Sequence, residues 1–394
     1  MIHRILHLSQ DSIFLDKSIP VFEHFYPGQN VFYLQTNKRN EIYAVKSSEC
    51  VKYNPYKKGY LDEIEGVHKK NPFDIVVVHG LCSSFINILK RINPDKQLRV
   101  YWVFWGYELY RSLGEQGKYS LLDEQNIFSR LTWITPTKYN CLLKKILGIK
   151  PYYKRLEEFL PLVDFFCFWF YDDYLLLKKH YPNCHLQFRF FEYGAKYRCS
   201  ETEKIAIDFN KIEKEIRVSH SASTTANHVT VMKILRRVDK NNEFRKVFPL
   251  AYGSAFIKKQ VQKLGRKYYG NQFVPIYDLV GKEEYRKALS KVGVAIFGQL
   301  RQEASGNIFP LLDYGAKVFL RKNNPLFKFC KKLGYLVYSI EDDLKTIDDL
   351  CPLTHDQMLY NANISVKTQI YYDDFMPSLF DEEQSLDKMK DWIG

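Results

Sequence analysis

Two clusters of polar residues in this chain have types and spacings suited to chemistry on a phosphorylated ligand. The first is a run of small hydroxylated residues, Ser219, Ser221, Ser223, Thr224 and Thr225, closed by Asn227. Hydroxyls followed by the free N–H groups of a helix start suit a phosphate. The second runs from Arg301 to Asn307 as Arg-Gln-Glu-Ala-Ser-Gly-Asn. Arg301 can fork onto a phosphate, Gln302 and Asn307 offer amides to sugar or base edges, Glu303 can accept from sugar hydroxyls, and Gly306 lets backbone come near a ligand. Tyr252 and Gly253 could wall a base pocket. The plainer alternative at each place is a turn of helix-capping residues that binds nothing.

Three residues could take a proton from an attacking hydroxyl: Glu108, Asp11 and His79, in that order of preference. Each has a structural alternative. Glu108 could be a first-turn acid favoured by the helix dipole, His79 an imidazole satisfied by its neighbours, and Asp11 a cap. No Asp-x-Asp triplet occurs. The acidic pairs Asp172-Asp173 and Asp342-Asp343 are adjacent, so their side chains diverge. No obligatory metal is expected.

The elements that must position these groups follow from apolar periodicity. Arg4–Leu8, Val31–Leu34, Phe73–Val78, Leu98–Phe104, Asp164–Trp169 and His185–Phe188 read as strands, with helices over Ser83–Ile92 and Tyr171–His180. A second series has strands at Ile216–Val218, from Val247, at Phe273–Ile276, Gly293–Phe297, Lys317–Leu320 and Tyr335–Tyr338. Helices follow Asn227 and cover Ser254–Arg266, Lys282–Lys291 and Ile308–Tyr314. Alternating strands and helices imply parallel sheets, whose ligand crevice lies at the strands' carboxyl ends. All the candidate residues fall at such ends. The expected organisation is an α/β chain with one Rossmann-like domain over 1–204 and a second over 205–365. A helical tail, 366–394, is expected to pack back toward the first.

Composition narrows the partners. The net charge of +13, from 58 Lys+Arg against 45 Asp+Glu, favours anionic ones. Eight Cys without a CxxC pair point to reduced thiols rather than zinc or disulfides. No signal peptide, membrane span or internal repeat is evident. Between residues 131 and 155, Lys138, Lys144, Lys145, Lys150, Lys154 and Arg155 interleave with Trp133, Tyr139, Leu142, Ile146, Tyr152 and Tyr153. That composition suits an anionic membrane surface, with an ordinary amphipathic helix as the alternative. No nucleic-acid motif accompanies the charge, so no nucleic-acid partner is expected.

Particular motifs add a resemblance. His79-Gly80 followed by Trp105-Gly106-Tyr107-Glu108-Leu109-Tyr110 resembles the HG and WGxDLY pair of the Fuc4NAc transferases, glycosyltransferase family 56. Val218-Ser219-His220-Ser221 with Asn227-His228 is similar to that family's VGNS and NEH, and Arg301-Gln302-Glu303-Ala304-Ser305-Gly306 to its RQQGIG. Asn324-Pro325-Leu326-Phe327 is similar to its NPFW. The order holds from residue 1 to about 340. Ser219-His220 replaces Gly-Asn, and Glu303 replaces a Gln. The resemblance implies a GT-B fold, two Rossmann-like domains facing across a cleft. It also implies inverting transfer of a deoxyamino sugar from a nucleotide diphosphate, dTDP by analogy, to a polyprenyl-diphosphate-linked saccharide. The enzyme would be peripheral, at the cytoplasmic face of a bacterial inner membrane, with no cofactor besides its nucleotide-sugar substrate. A non-catalytic sugar-nucleotide-binding subunit is the alternative.

Overall fold

The structure is a computed structural model that describes residues 3–47, 50–123, 137–198 and 207–393. The chain forms two compact units. One comprises residues 1–112, 148–199 and 370–394, the other 113–147 and 200–369.

The first unit is built on a seven-stranded sheet. Its strands are β1 (Ile5–Gln10), β2 (Asn30–Gln35), β3 (Val51–Tyr53), β4 (Ile75–His79), β5 (Arg99–Val103), β6 (Phe165–Cys167) and β7 (Gln187–Arg189). Their order across the sheet is β3-β2-β1-β4-β5-β6-β7, and every pairing is parallel. β4 is buried along its whole length, because helices cover both faces of such a sheet and an unbroken Val/Ile run is what each face requires. The strand order reverses between β1 and β4, which puts the crevice at the ends of those two strands.

Several elements here are absent from the periodicity reading, among them β3 and the helices Ile13–Phe25 and Tyr60–Lys70. The helix Tyr60–Lys70 buries one residue, Ile64, so it carries almost no apolar stripe to detect. The tail also differs from the expected helices. It consists of 3₁₀ turns at Tyr372–Asp374, Met376–Ser378 and Asp387–Met389 and a single helical turn, Lys390–Ile393. Pro377 has no N–H to sustain a helix there. Residues 370–394 nonetheless belong to the first unit. Phe375, Met376, Leu379 and Met389 are buried, and the Gln384 amide donates to Phe190 O (3.0 Å) while accepting from Phe190 N (2.7 Å).

The second unit has six strands: β8 (Glu215–Val218), β9 (Arg245–Pro249), β10 (Phe273–Ile276), β11 (Val294–Phe297), β12 (Lys317–Leu320) and β13 (Val337–Ser339). The order is β10-β9-β8-β11-β12-β13, again all parallel, and it reverses between β8 and β11. Ile216, Val218, Ile296 and Phe319 meet Val231, Met232, Leu235 and Val261 in its core.

Residues 113–147, expected in a first domain running to 204, lie with this second unit. Polar contacts fix them there. The Tyr119 hydroxyl donates to Leu300 O (2.6 Å), Asp123 pairs with Arg321 (2.5 Å), and Asp123 N donates to Asn227 Oδ1 (3.0 Å), while within the segment the buried Lys144 pairs with Glu115. The helix Pro325–Lys332, which opens on Asn324-Pro325, was not anticipated either.

Candidate functional site

In the second unit the two expected loops leave the two strands that flank the reversal. β8 ends at Val218 and delivers Ser219–Asn227, while β11 ends at Phe297 and delivers Gly298–Ala304. Both loops contain non-glycine residues in the left-handed region, Ser219 (φ 61°), Asn227 (φ 50°) and Ala304 (φ 69°). Such backbone is held by surrounding contacts. Ser219 N donates to Ile296 O (2.9 Å), and the Ser219 hydroxyl accepts from Gln299 Nε2 (3.1 Å). Gly298 is needed because a Cβ there would stand 2.5 Å from Ala226 O and 2.7 Å from Val231 Cγ2.

Glu303 ties the loops together. Its carboxylate accepts from the Ser223 hydroxyl (2.8 Å) and the Thr225 hydroxyl, and pairs with Arg301 at 3.2 Å. Burial pushes this carboxyl up, but the Arg301 charge, His220 and the two hydroxyls outweigh it and hold the group below the usual glutamate range. Glu303 is therefore an anion at neutral pH. Arg301 also donates to Gln302 O (3.0 Å). The Arg301 charge is thus matched within its own loop.

Other expected donor residues separate into those turned inward and those left open. Asn227 is buried. Its amide accepts from Asp123 N (3.0 Å) and donates to Leu121 O, Thr225 O and Gly298 O, so it fastens the loops rather than facing a ligand. Ser219 is buried likewise. Ser221 is buried with its hydroxyl 3.3 Å from His220 Nε2, and its carbonyl accepts from His228 Nε2 at 2.9 Å. Asn307 Oδ1 accepts from the Tyr285 hydroxyl. Gly253 (φ 112°) is required, since a Cβ would meet Ala222 O at 2.5 Å. It lets the β9 exit press on the serine loop, where Ala222 N donates to Tyr252 O (2.9 Å). The Tyr252 ring remains 49% exposed, 6.0 Å from the His220 ring. Gly306 is exposed with nothing within 4 Å of its missing Cβ. The half-buried Thr224 hydroxyl has no hydrogen-bond partner among the described residues, and neither does the Gln302 side chain.

His220 was quoted in a motif but not counted as a site residue. Its Nδ1 is 3.4 Å from Gln299 Nε2. Burial pulls its pKa down, Glu303 opposes that, and Arg301 and Arg217 push it down further, so the imidazole is neutral. Arg217 was missed altogether. A lone Arg in a short strand reads as an edge residue, yet this one is 6% exposed.

In the first unit the three expected proton acceptors are all engaged. His79 is fully buried, with Nε2 3.1 Å from His7 Nδ1 and Nδ1 3.2 Å from the Tyr193 hydroxyl. Asn30 fixes the proton positions. Its NH2 donates to Phe22 O and Tyr26 O, so its Oδ1 accepts from His7 Nε2 (3.1 Å). His7 Nδ1 then accepts from His79 Nε2, and His79 Nδ1 accepts from Tyr193, whose oxygen accepts from Trp105 Nε1 (3.0 Å). Burial, and for His79 the neighbouring His7, hold both imidazoles neutral, His7 down at about 3. The sheet pairing thus buries the His79 ring instead of presenting it at the strand end.

Glu108 is also fully buried. Both its oxygens lie 3.2 Å from Trp105 N, in the first turn of the helix Tyr107–Gln116. Asp11 accepts from the backbone N–H groups of Tyr43 (2.6 Å), Ala44 (3.0 Å) and Val45 (2.9 Å), pinning that segment. Among the described residues, Glu192, just beyond β7, keeps one carboxyl oxygen without a hydrogen-bond partner. It is partly exposed and accepts from Gly194 N (2.6 Å). Burial raises it to about 7 against the opposing Gly194 N–H and Lys17 charge.

Among the described residues, no group of three or more His, Cys, Asp or Glu side chains is placed to hold a metal ion, and no helix is long and apolar enough to cross a membrane. Part of the basic segment 131–155 lies outside the described residues. Its described helix, Lys138–Ile146, exposes Tyr139, Leu142 and Ile146, with Leu147 following. Lys144 points inward to Glu115.

Two parallel six- and seven-stranded units with Rossmann strand order define the GT-B class of fold. Solved structures of that class match nearly the whole chain. One is an alpha-glucosyltransferase in complex with UDP-glucose and DNA containing an abasic site (14% identity, 94% of this chain and 96% of that one, TM-score 0.53). Another is the trehalose-6-phosphate synthase OtsA (10%, 97% and 100%, TM-score 0.58). A third is sucrose-phosphate synthase from Thermosynechococcus elongatus (9%, 94% and 95%, TM-score 0.60). At these identities the likeness shows the fold. No family description and no curated protein matches the sequence.

Proposed function

We propose that the chain is a glycosyltransferase that takes its sugar from a nucleoside diphosphate held at the β8–β11 edge of the second unit. The carrying observation is the pair of loops at the strand reversal, fastened through Glu303 to Ser223, Thr225 and Arg301, with Thr224, Tyr252 and Gly306 left open. Open-sheet α/β folds bind ligands at such a reversal. The UDP and UDP-glucose complexes among the solved structures of this fold support the same choice of ligand. No metal is assigned to the reaction.

The motif resemblance supports a narrower version. In it the donor is a dTDP-linked deoxyamino sugar such as Fuc4NAc, transferred with inversion to a polyprenyl-diphosphate-linked saccharide during cell-envelope polysaccharide synthesis. The enzyme would work peripherally at the cytoplasmic face of a bacterial inner membrane. The exposed Tyr139, Leu142, Ile146 and Leu147, beside Lys138 and Lys145, would rest on anionic lipid. Inversion needs a group to deprotonate the acceptor hydroxyl. Glu108, Asp11 and His79 are engaged internally, so this role falls to Glu192. The same engagement favours one alternative, a sugar-nucleotide-binding subunit without turnover.

The test is thermal-shift and calorimetric titration of the full chain with UDP, dTDP and GDP. A nucleotide at 100 times its Kd stabilises by about 2.7 kcal/mol. Binding of one of the three, with release of that nucleotide from its sugar conjugate in the presence of acceptor, supports transfer. Binding without release supports the subunit alternative, and no binding by any nucleotide overturns both.

A further inference from the structure

Arg217 lies inside β8, paired across to Val247 of β9 and Ala295 of β11, and 94% of it is removed from solvent. A buried guanidinium ordinarily has a carboxylate beside it, because taking an unmatched charge out of water is unfavourable. Arg217 has none among the described residues. Its Nη2 donates to the Tyr285 hydroxyl (3.3 Å), and its Cζ lies 5.4 Å from the Tyr285 ring centroid. Tyr285 in turn donates to Asn307 Oδ1, in the first turn of the helix Ser305–Asp313. That hydroxyl has one proton, given to Asn307, so toward Arg217 it can only accept. One of the five guanidinium N–H groups is thereby used. None of the remaining nitrogens is both sealed from solvent and unpartnered. The free donors therefore face space that water reaches.

Through Tyr285 and Asn307, Arg217 is linked to the Arg301–Asn307 loop. The Arg217 charge acts on both His220 and Tyr252, and the Arg301 charge also reaches His220. The two arginines differ in one respect. Arg301 has Glu303 at 3.2 Å, whereas Arg217 has the Tyr285 phenol as its hydrogen-bond partner and no carboxylate beside it among the described residues.

We infer that Arg217, rather than Arg301, is the cation that takes the diphosphate of the donor, with Tyr285 and Asn307 orienting its guanidinium and the Arg301–Glu303 pair holding the loop in place. This rests on the nucleotide-donor proposal above and assigns its anion contact. The geometry fits a diphosphate because a planar fork with several free donors suits a group carrying oxygens on two adjacent centres.

The experiment compares wild type, Arg217→Met, Arg217→Lys and Arg301→Met for binding of UDP, dTDP, GDP and inorganic pyrophosphate by calorimetry, with melting of each ligand-free chain alongside. Arg217→Met is expected to melt at or above the wild-type temperature when free of ligand, since it removes an unmatched buried charge. It should lose at least 30-fold in affinity for whichever diphosphate binds. Arg217→Lys, which keeps charge but not the fork, should lose about 10-fold and guards against a Met variant that fails to fold. Arg301→Met should melt lower, with a smaller loss of affinity. Wild-type binding that survives unchanged in both Arg217 variants overturns this inference and leaves the donor proposal standing. A wild-type chain that binds none of the four probes overturns both.

Discussion

The two units share a strand order and differ in how they treat the polar groups at the place where that order reverses. At the first reversal, between β1 and β4, hydrogen bonds run from Trp105 through Tyr193, His79 and His7 to Asn30, and every proton on the path has one consistent position. Glu108 and Asp11 beside it are occupied by backbone N–H groups. At the second reversal, between β8 and β11, the bonds through Glu303 fasten two loops but leave an unmatched cation at Arg217, an unpartnered hydroxyl at Thr224 and an exposed ring at Tyr252. One fold edge can thus be closed into structure or left unsatisfied for a ligand. Strand order alone does not decide which.

The sharpest way to break this contrast is acid. His7 in the first unit and His228 in the second are neutral in the folded chain, held by burial at about 3 and about 4. Unfolded histidine titrates near 6.5, so below that pH the unfolded state binds more protons and folding weakens as pH falls. The contribution is intact above about pH 6.5 and is lost down to about pH 3 for His7 and pH 4 for His228. At pH 5 each costs about 2 kcal/mol relative to pH 7 by this linkage, roughly 4 kcal/mol together. Denaturant unfolding at pH 7 and pH 5 measures it. His79, lowered in the same direction, adds to the loss in the first unit and His220 to that in the second, while Glu192, which burial raises to about 7, takes up a proton in the folded state and offsets part of the first unit's loss. No loss of stability between pH 7 and 5 would show that the His7–His79 path is not closed in the way described.

A smaller effect separates Glu192 from the engaged acids of the same edge. If transfer proceeds with inversion, Glu192→Gln should lower kcat by about 100-fold, within the usual range for a general base. It should also remove an acid limb near pH 7 from the rate profile, because burial raises that carboxyl to about 7 and it must be ionised to act. Glu108→Gln should leave the limb in place. The reverse result, a limb lost with Glu108 and kept without Glu192, would return the catalytic role to the buried acid.

Much of the architecture was legible because buried parallel strands are unbroken apolar runs. β4, β11 and β12 announce themselves in this way, and Ser83–Ile92 and Tyr171–His180 coincide with the helices observed. The loops at the reversal were legible too, since small hydroxylated residues and an Arg-Gln-Glu run stand out after such strands. What each side chain does there was not. Asn227 and Ser219 look like ligand residues until the contacts of residues 119–123 and Gln299 are known, and those partners are 70 or more positions away in the chain. His79 was expected to point into a crevice, but the register that sets Ser9 against His79 brings His7 within hydrogen-bond reach of its ring. Arg217 was invisible because nothing in a four-residue strand distinguishes a buried arginine from an edge one. Its meaning comes from the carboxylate that is not beside it.

The smallest expected effect tests whether the open side of the contrast is open for a reason. The Thr224 hydroxyl is half-buried and meets no partner among the described residues, while Ser223 and Thr225 on either side both donate to Glu303. Thr224→Ala therefore removes no internal hydrogen bond and should leave denaturant stability within about 0.5 kcal/mol of wild type, as for substitutions away from structural features. If that hydroxyl donates to a bound diphosphate, its loss should weaken nucleotide binding by about 1 kcal/mol, roughly 5-fold. Thr225→Ala should do the opposite, lowering stability by removing a hydroxyl from a buried carboxylate and altering binding only as the loop loosens. Two variants one residue apart would then move different observables. Equal effects on stability from both would mean that Thr224 belongs to the same closed network as its neighbours, and the second edge would be less open than its geometry implies.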